Sequence, residues 1–346
     1  MSLEKLLKEM KEKPIGRREL LFSFLGAVGF YVSGCALNMP GPGGRIGCLP
    51  SPNNPLTEDL GENAANCERG IAFTKLYGHI DIAHVRKYGE WVEYLASRLN
   101  VIFNGGKVEF VFSGKEPVEY AVKINYPSNW NSAREEKKEI IENVSTELAA
   151  YLSHKTSIMH ETLTWFRWRS TIIIPEYSSA FSWEDLPSDV FGVYVGKHAM
   201  QDKTRSFKEA MAVILKSELD RLEIQSRKVS IEAAKSVEGK WYKGYGLGSQ
   251  MLMRNLDIGT GDGKVGPCIP PGYGREDGRI WECPIPNLEY SGEMGFDFQL
   301  EARPHVKKEV FQRILGKDII DPETDFPIMM EYIKREAVEK GYIVDN

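Results

Sequence analysis

The sequence predicts an α+β fold, a mainly helical single domain with a small β-hairpin or sheet and long ordered Gly/Pro-rich loops. Three observations predict it. Apolar residues recur at three- and four-residue intervals through several long segments. Two short runs of β-branched and aromatic residues flank one turn sequence. The stretch 239–295 is dense in glycine and proline. With 346 residues, 42% of them hydrophobic and 27% charged, the chain can bury a sizeable core. A net charge of −5 gives no general electrostatic reason to expect a nucleic-acid partner.

The N-terminus reads as an export signal. Lys5, Lys8, Lys11, Lys13, Arg17 and Arg18 make a cationic region before the apolar run 20–32. At thirteen residues that run is shorter than the roughly 20 residues of a membrane-spanning helix. Val32-Ser33-Gly34-Cys35 resembles a lipobox, with valine where leucine is usual, so Cys35 is the expected lipidation site. A diacyl or triacyl anchor, at about 0.8 kcal/mol per buried methylene, would hold such a chain durably on a membrane. Arg17-Arg18 also resembles a twin-arginine signal, although Gly16 and Leu20 depart from it. The expected location is the cell envelope, at the periplasmic or outer face of a bacterial membrane.

These readings divide the chain into a signal segment at 1–35, a tether and entry segment at 36–66 and one globular domain at 67–346. A separate C-terminal lobe from about Gly239 is the alternative. Outside the reducing cytoplasm, Cys48, Cys67, Cys268 and Cys283 are expected to form disulfides. The short Gly/Pro-rich loops favour Cys48 with Cys67 and Cys268 with Cys283, whereas a zinc site lacks any CxxC spacing.

Within the domain, the first helix is expected over 80–99, where Ile82, Val85, Val92, Leu95 and Leu99 share a face. The runs 107–112 and 119–126, separated by Ser113-Gly114-Lys115-Glu116-Pro117, predict a hairpin. A long helix is expected over 133–168, with a break near Ser153 or His154. Another begins after Ser182, with Pro187 confined to its first turn. Ser206 and Glu209 form a capping box that opens a helix extending to about Val237. A strand at 296–302 and helices at 305–315 and 326–340 complete the domain.

Three polar constellations could carry chemistry. In Gly78-His79-Ile80-Asp81-Ile82-Ala83-His84, a helical spacing of three puts Asp81 and His84 on one face. The bland reading is a helix start with a favourable dipole and one hydrogen-bonded histidine. His160-Glu161-Thr162-Leu163-Thr164 is half of the HExxH zinc motif, but Thr164 stands where the second histidine belongs, so the metalloprotease reading fails as written. Ser178 to Asp189 places Glu184, Asp185 and Asp189 beside a helix start, where each taken singly could be only a cap. Gly244-Tyr245-Gly246-Leu247-Gly248-Ser249 is neither a Walker nor a Rossmann sequence, and Asp257 with Asp262 lacks the EF-hand spacing.

Those constellations, with Met253-Arg254-Asn255-Leu256-Asp257 and the segment around Pro267, resemble a bacterial family catalogued as domain of unknown function 4056. Many of its members look like lipoproteins. Pro187 and Asp189 depart from the tyrosine and asparagine usual there. The resemblance groups these segments and supplies no reaction, so function is argued from the site.

The sharper expectation is a metal-dependent hydrolase, with zinc or another divalent metal held by Asp81, His84, His160 and Glu184 (or Asp185). His160 and Glu161 would act catalytically, Glu161 as general base. Lipid, peptidoglycan or peptide would be the envelope substrate. A metal-free version makes His84 or His160 the base and Ser178, Ser179 or Ser182 the nucleophile. The non-enzymatic alternative is an envelope binding or scaffold lipoprotein with a buried polar network.

Overall fold

The computed structural model describes residues 70–344, apart from 115, 129, 131–136, 167–179, 244–249 and 290–293. The signal segment with Cys35, the tether, the Cys48–Cys67 pair, Ser178, Ser179 and the glycine-rich 244–249 lie outside the described residues. β1 (Ile71–Thr74) and β2 (Gly78–Asp81) form an antiparallel hairpin that runs directly into α1 (Ile82–Asn104). The first helix therefore starts two residues later than its periodicity suggests, because β1 takes up the backbone groups of 78–81. His79 and Asp81 are strand residues, and Asp81 caps α1 by accepting from the Ala83 N–H at 2.8 Å.

β3 (Glu109–Ser113) and β4 (Val118–Asn125) form the expected hairpin. β10 (Gly295–Ala302) pairs along its whole length with β4, giving a sheet whose order is β11-β10-β4-β3, with β11 at Ile319–Ile320. Strand alternation turns Phe110, Phe112, Tyr120, Val122 and Leu300 inward onto α1 and onto α2 (Lys137–Trp165). Because β10 completes the sheet begun by the first hairpin, the late part of the chain shares this core.

α2 does not break at Ser153 or His154. Thr156 and Ser157 return their hydroxyls to the carbonyls of Ser153 and His154, at 2.7 and 2.8 Å, so these residues meet their hydrogen-bonding needs without leaving the helix. From Val144 to its end every residue of α2 is buried, which makes it the central helix of the domain.

α3 (Asp185–Gln201) packs against both α1 and α2. The helix expected from Ser206 to Val237 is instead α4 (Phe207–Arg221) and α5 (Arg227–Ser236), opened by Ser206 and Ser226 caps. It divides because the turn between them hydrogen-bonds the first hairpin: Leu76 and Lys75 donate to Leu222 and Glu223, and Gln225 donates to Phe73. Glu223 takes φ 61° to make that turn.

Among the described residues, the strands of the loop region are two residues long: β5 (Tyr242–Lys243), β6 (Gln250–Met251), β7 (Met253–Arg254), β8 (Lys264–Val265) and β9 (Cys283–Pro284). Asp257 and Asp262 accept from loop N–H groups of Gly259, Gly266 and Lys264, so their carboxylates brace turns. The chain ends through α6 (Pro304–Val306), a π-turn at Lys307–Gln312, α7 (Arg313–Leu315), α8 (Pro322–Glu339) and β12 (Ile343–Val344). α8 starts earlier than expected because Asp321 caps it and Pro322 fits its first turn. The α+β expectation is met.

The expected Cys268–Cys283 bridge is not formed, and both thiols are buried and reduced. β8 and β9 align Val265 with Cys283, leaving Cys268 beyond the strand end, where its carbonyl lies against Gly78. The Cys283 thiol is hydrogen-bonded with Tyr77, and burial pushes its pKa well up.

Candidate active site

The site begins with how closely two helices approach. On α3, Asp185, Asp189, Gly192 and Gly196 are spaced four, three and four residues apart, which places them on one stripe. That stripe faces α1. A methyl group at Gly192 would lie 2.5 Å from the Val85 carbonyl oxygen, and one at Gly196 would lie 2.8 Å from the Gly89 Cα. Glycine there lets the backbones nearly touch, and the same approach delivers His84 to Asp185 and Asp189.

His84 Nδ1 is 2.8 Å from Asp189 Oδ1, while its Nε2 is 3.9 Å from Asp185 Oδ1. With its hydrogen on Nδ1, the ring donates to Asp189 and turns Nε2 toward Asp185. Asp189 is wholly buried, and its Oδ2 has no hydrogen-bond partner among the described residues. An asparagine at 189 could accept the same Nδ1–H, so an amide oxygen would also orient the ring.

His160 repeats the arrangement. Its Nδ1 is 2.9 Å from Glu116 Oε1 and its Nε2 is 4.0 Å from Glu161 Oε1. Glu116 comes from the hairpin turn between β3 and β4. Burial alone would raise its pKa, but the hydrogen bond and charge of His160, helped by Lys87, hold it down at about 2. The two histidines are thus each tied to a carboxylate through Nδ1 and each present Nε2 to a second one.

The second carboxylates tend to hold protons. Burial raises the pKa of Glu161, with Asp189 adding to the effect against the lowering influence of His160 and His84. Asp185 is pushed well above the usual carboxylate range by burial and by Glu161, against His84. Glu184 is raised to about 7 by burial, with Asp81 adding to the shift, while its own backbone N–H, the Ser182 hydroxyl and His84 oppose it. One Glu184 oxygen is buried without a hydrogen-bond partner among the described residues.

Backbone N–H groups fix the first two. Phe181 N–H donates to Glu161 Oε2 at 2.8 Å and Ser182 N–H to Asp185 Oδ2 at 3.0 Å. Phe181 is fully buried at φ 55°, a left-handed conformation that disfavours an L-residue by roughly 1–2 kcal/mol. Ser182 is not the side-chain cap of α3, whose N-cap residue is Glu184. The side chains of His84, Asp185 and Glu116 keep 12, 12 and 13% exposure. A groove of about 830 Å³ on the sheet, lined by Lys123, Phe296 and Lys317 among others, shares no residue with it.

His84, His160, Glu161, Glu184 and Asp185 therefore come together, and Asp81 stands beside Glu184 while capping α1. Among the described residues, no three His, Cys, Asp or Glu side chains are placed to hold a metal ion between them. The expected ligand set of Asp81, His84, His160 and Glu184 is accordingly not assembled. His79 lies outside the cluster, packed on Phe73 and Trp183, and its burial lowers its pKa to about 4 against the opposing Ser230 carbonyl. Sequence reasoning missed Glu116, which reads as a turn residue with no local mark. The orienting role of Asp189 had a usable signal, its four-residue spacing from Asp185.

Among the described residues, no helix is long and apolar enough to cross a membrane. No curated protein and no solved structure matches the chain. A family model described as a protein of unknown function (DUF4056) matches residues 56–259, which include His84, Glu116, His160, Glu161, Asp185, Asp189 and Arg254. The chain therefore belongs to the family of domain of unknown function 4056.

Proposed function

We propose that the chain is an envelope hydrolase that works by general acid–base chemistry between α1, α2 and α3. His84, oriented by Asp189, takes a proton from an attacking water. Glu161 and Asp185, whose carboxyls burial shifts toward the protonated form, supply one to the leaving group, and His160, oriented by Glu116, stabilises the charge that develops. The carrying observation is the doubled geometry: each histidine is anchored through Nδ1, and each Nε2 faces a carboxyl across 3.9 or 4.0 Å. An oxygen placed off the axis of either pair could hydrogen-bond both of its members.

Lipid anchoring at Cys35 would keep the site at a bacterial membrane, where a lipid, peptidoglycan or peptide is the substrate class. A divalent metal such as zinc is the second reading. It is favoured by the two carboxylate–histidine pairs, an arrangement that commonly orients metal-binding imidazoles. Bonds of about 2.0–2.2 Å to one ion would require the facing groups to draw closer.

The test uses the full chain in detergent, screened for ester, amide and glycoside hydrolysis beside His84→Ala and His160→Ala, with bound metal measured by mass spectrometry. Loss of turnover on the order of 10²- to 10⁴-fold in folded His84→Ala is expected. Near-stoichiometric metal that disappears from both variants would move the mechanism to the metal reading. A fully folded chain with no turnover on any of these bonds would leave the cluster as a packing network.

A further inference from the structure

We infer that Arg254 is the positioning residue of this site, clamping the strap of Ala180, Phe181 and Ser182 so that two backbone N–H groups fix the Glu161 and Asp185 carboxyls. The inference rests on the acid–base reading for its catalytic meaning. Arg254 lies on β7 and is fully buried. Its Nη1 donates to the Ala180 carbonyl and its Nη2 donates to the Met251 carbonyl at 3.0 Å. The guanidinium carbon lies 4.5 Å from the Tyr342 ring centroid and 5.7 Å from that of Trp165.

The neighbouring backbone completes the clamp. Ser182 and Arg254 form an antiparallel bridge, and Asn255 N–H donates to the Phe181 carbonyl at 3.0 Å. The carbonyls of Ala180 and Phe181 are thus held from one side, and the N–H groups of Phe181 and Ser182 hold the two carboxyls on the other. Phe181 in the left-handed region is the sign of a segment whose surroundings over-determine it. Lysine could keep the charge of Arg254, but it has no planar fork to reach the Ala180 and Met251 oxygens together.

The test is Arg254→Lys in the full chain, followed by backbone amide NMR and, with any substrate the wild type turns over, by kinetics. The Phe181 and Ser182 amide protons should lose the downfield displacement that carboxylate hydrogen bonds give them. Turnover should fall on the order of 10²-fold with KM little changed, the consequence of displaced catalytic groups.

An arginine with only a structural role would lower the melting temperature and leave the two amide shifts and kcat in place; that result overturns the inference. Should Arg254→Lys fail to fold, Tyr342→Leu removes the ring beneath the guanidinium and keeps the arginine. A partial loss of the same shifts is then expected, and unchanged shifts overturn the clamp. The amide readout needs no substrate, so a chain without hydrolytic activity that still loses both shifts refutes the acid–base reading and retains the clamp.

Discussion

Gly192→Ala tests the helix seam on which the site depends. In an exposed helix interior, replacing glycine with alanine would stabilise by roughly 0.8–1.0 kcal/mol through helix propensity. At Gly192 the added methyl would meet the Val85 carbonyl oxygen at 2.5 Å and its Cα at 2.7 Å. Both are backbone atoms, which cannot rotate away. Restoring ordinary contact needs α1 and α3 to separate by about 0.9 Å, and overpacking of this kind costs about 1–3 kcal/mol, so destabilisation wins. The same separation would stretch the 2.8 Å His84–Asp189 bond to about 3.7 Å, beyond hydrogen-bonding range. Urea unfolding should show a lower midpoint at unchanged slope, and the His84 Nδ1–H proton, held by Asp189 in the wild type, should exchange faster with solvent by NMR. A variant as stable as the wild type, with the His84 Nδ1–H proton still protected, would refute the idea that glycine sets this approach.

Asp189→Asn should fold and keep His84 oriented, since the amide oxygen can still accept from Nδ1. The His84 Nδ1–H proton should remain protected by NMR, and any hydrolytic rate should fall more gently than in His84→Ala. Glu184 gives a stability slope with a definite sign. Its folded pKa of about 7 lies above the ordinary glutamate value, so the folded chain binds the extra proton between about 4.5 and 7. Its stabilising contribution is full below that window and is lost as pH rises through it, by a few kcal/mol to order of magnitude. Over that window melting temperature should rise more steeply, or fall less steeply, with pH in Glu184→Gln; an unchanged slope would remove Glu184 as a contributor. Buried His79 and His154, lowered to about 4 and about 3 chiefly by burial, act in the opposite sense. Their contribution is present above about 6.5 and is lost as pH falls toward their folded values, so replacing both histidines should remove that part of the acid-side decline.

Much of the fold was legible because helix and strand periodicities are local. The face of α1 carrying Val85, Val92, Leu95 and Leu99, the β3–β4 hairpin and the Ser206 capping box each follow from residues a few positions apart. Two of the misread boundaries come from pairing outside the helical segment. β1 claimed Ile80 and Asp81 from the expected first helix, and the turn after α4 split another helix because its backbone groups pair with the first hairpin. Those partners lie outside the periodic run itself, so the helical pattern of either segment carries no trace of them.

The candidate site divides along the same line. By itself the sequence determined that His84 opens a helix, that His160 and Glu161 sit on a long buried one, and that a carboxylate-rich segment starts a third. Only the tertiary structure decided which carboxylate each histidine meets, that Glu116 enters from a hairpin turn, and that Arg254 grips the strap beside Glu161. The reason is geometric. Periodicity encodes which face of an element is buried, whereas the atoms that meet across that face depend on how nearly two backbones can approach, here set to a fraction of an ångström by the absent side chains of Gly192 and Gly196.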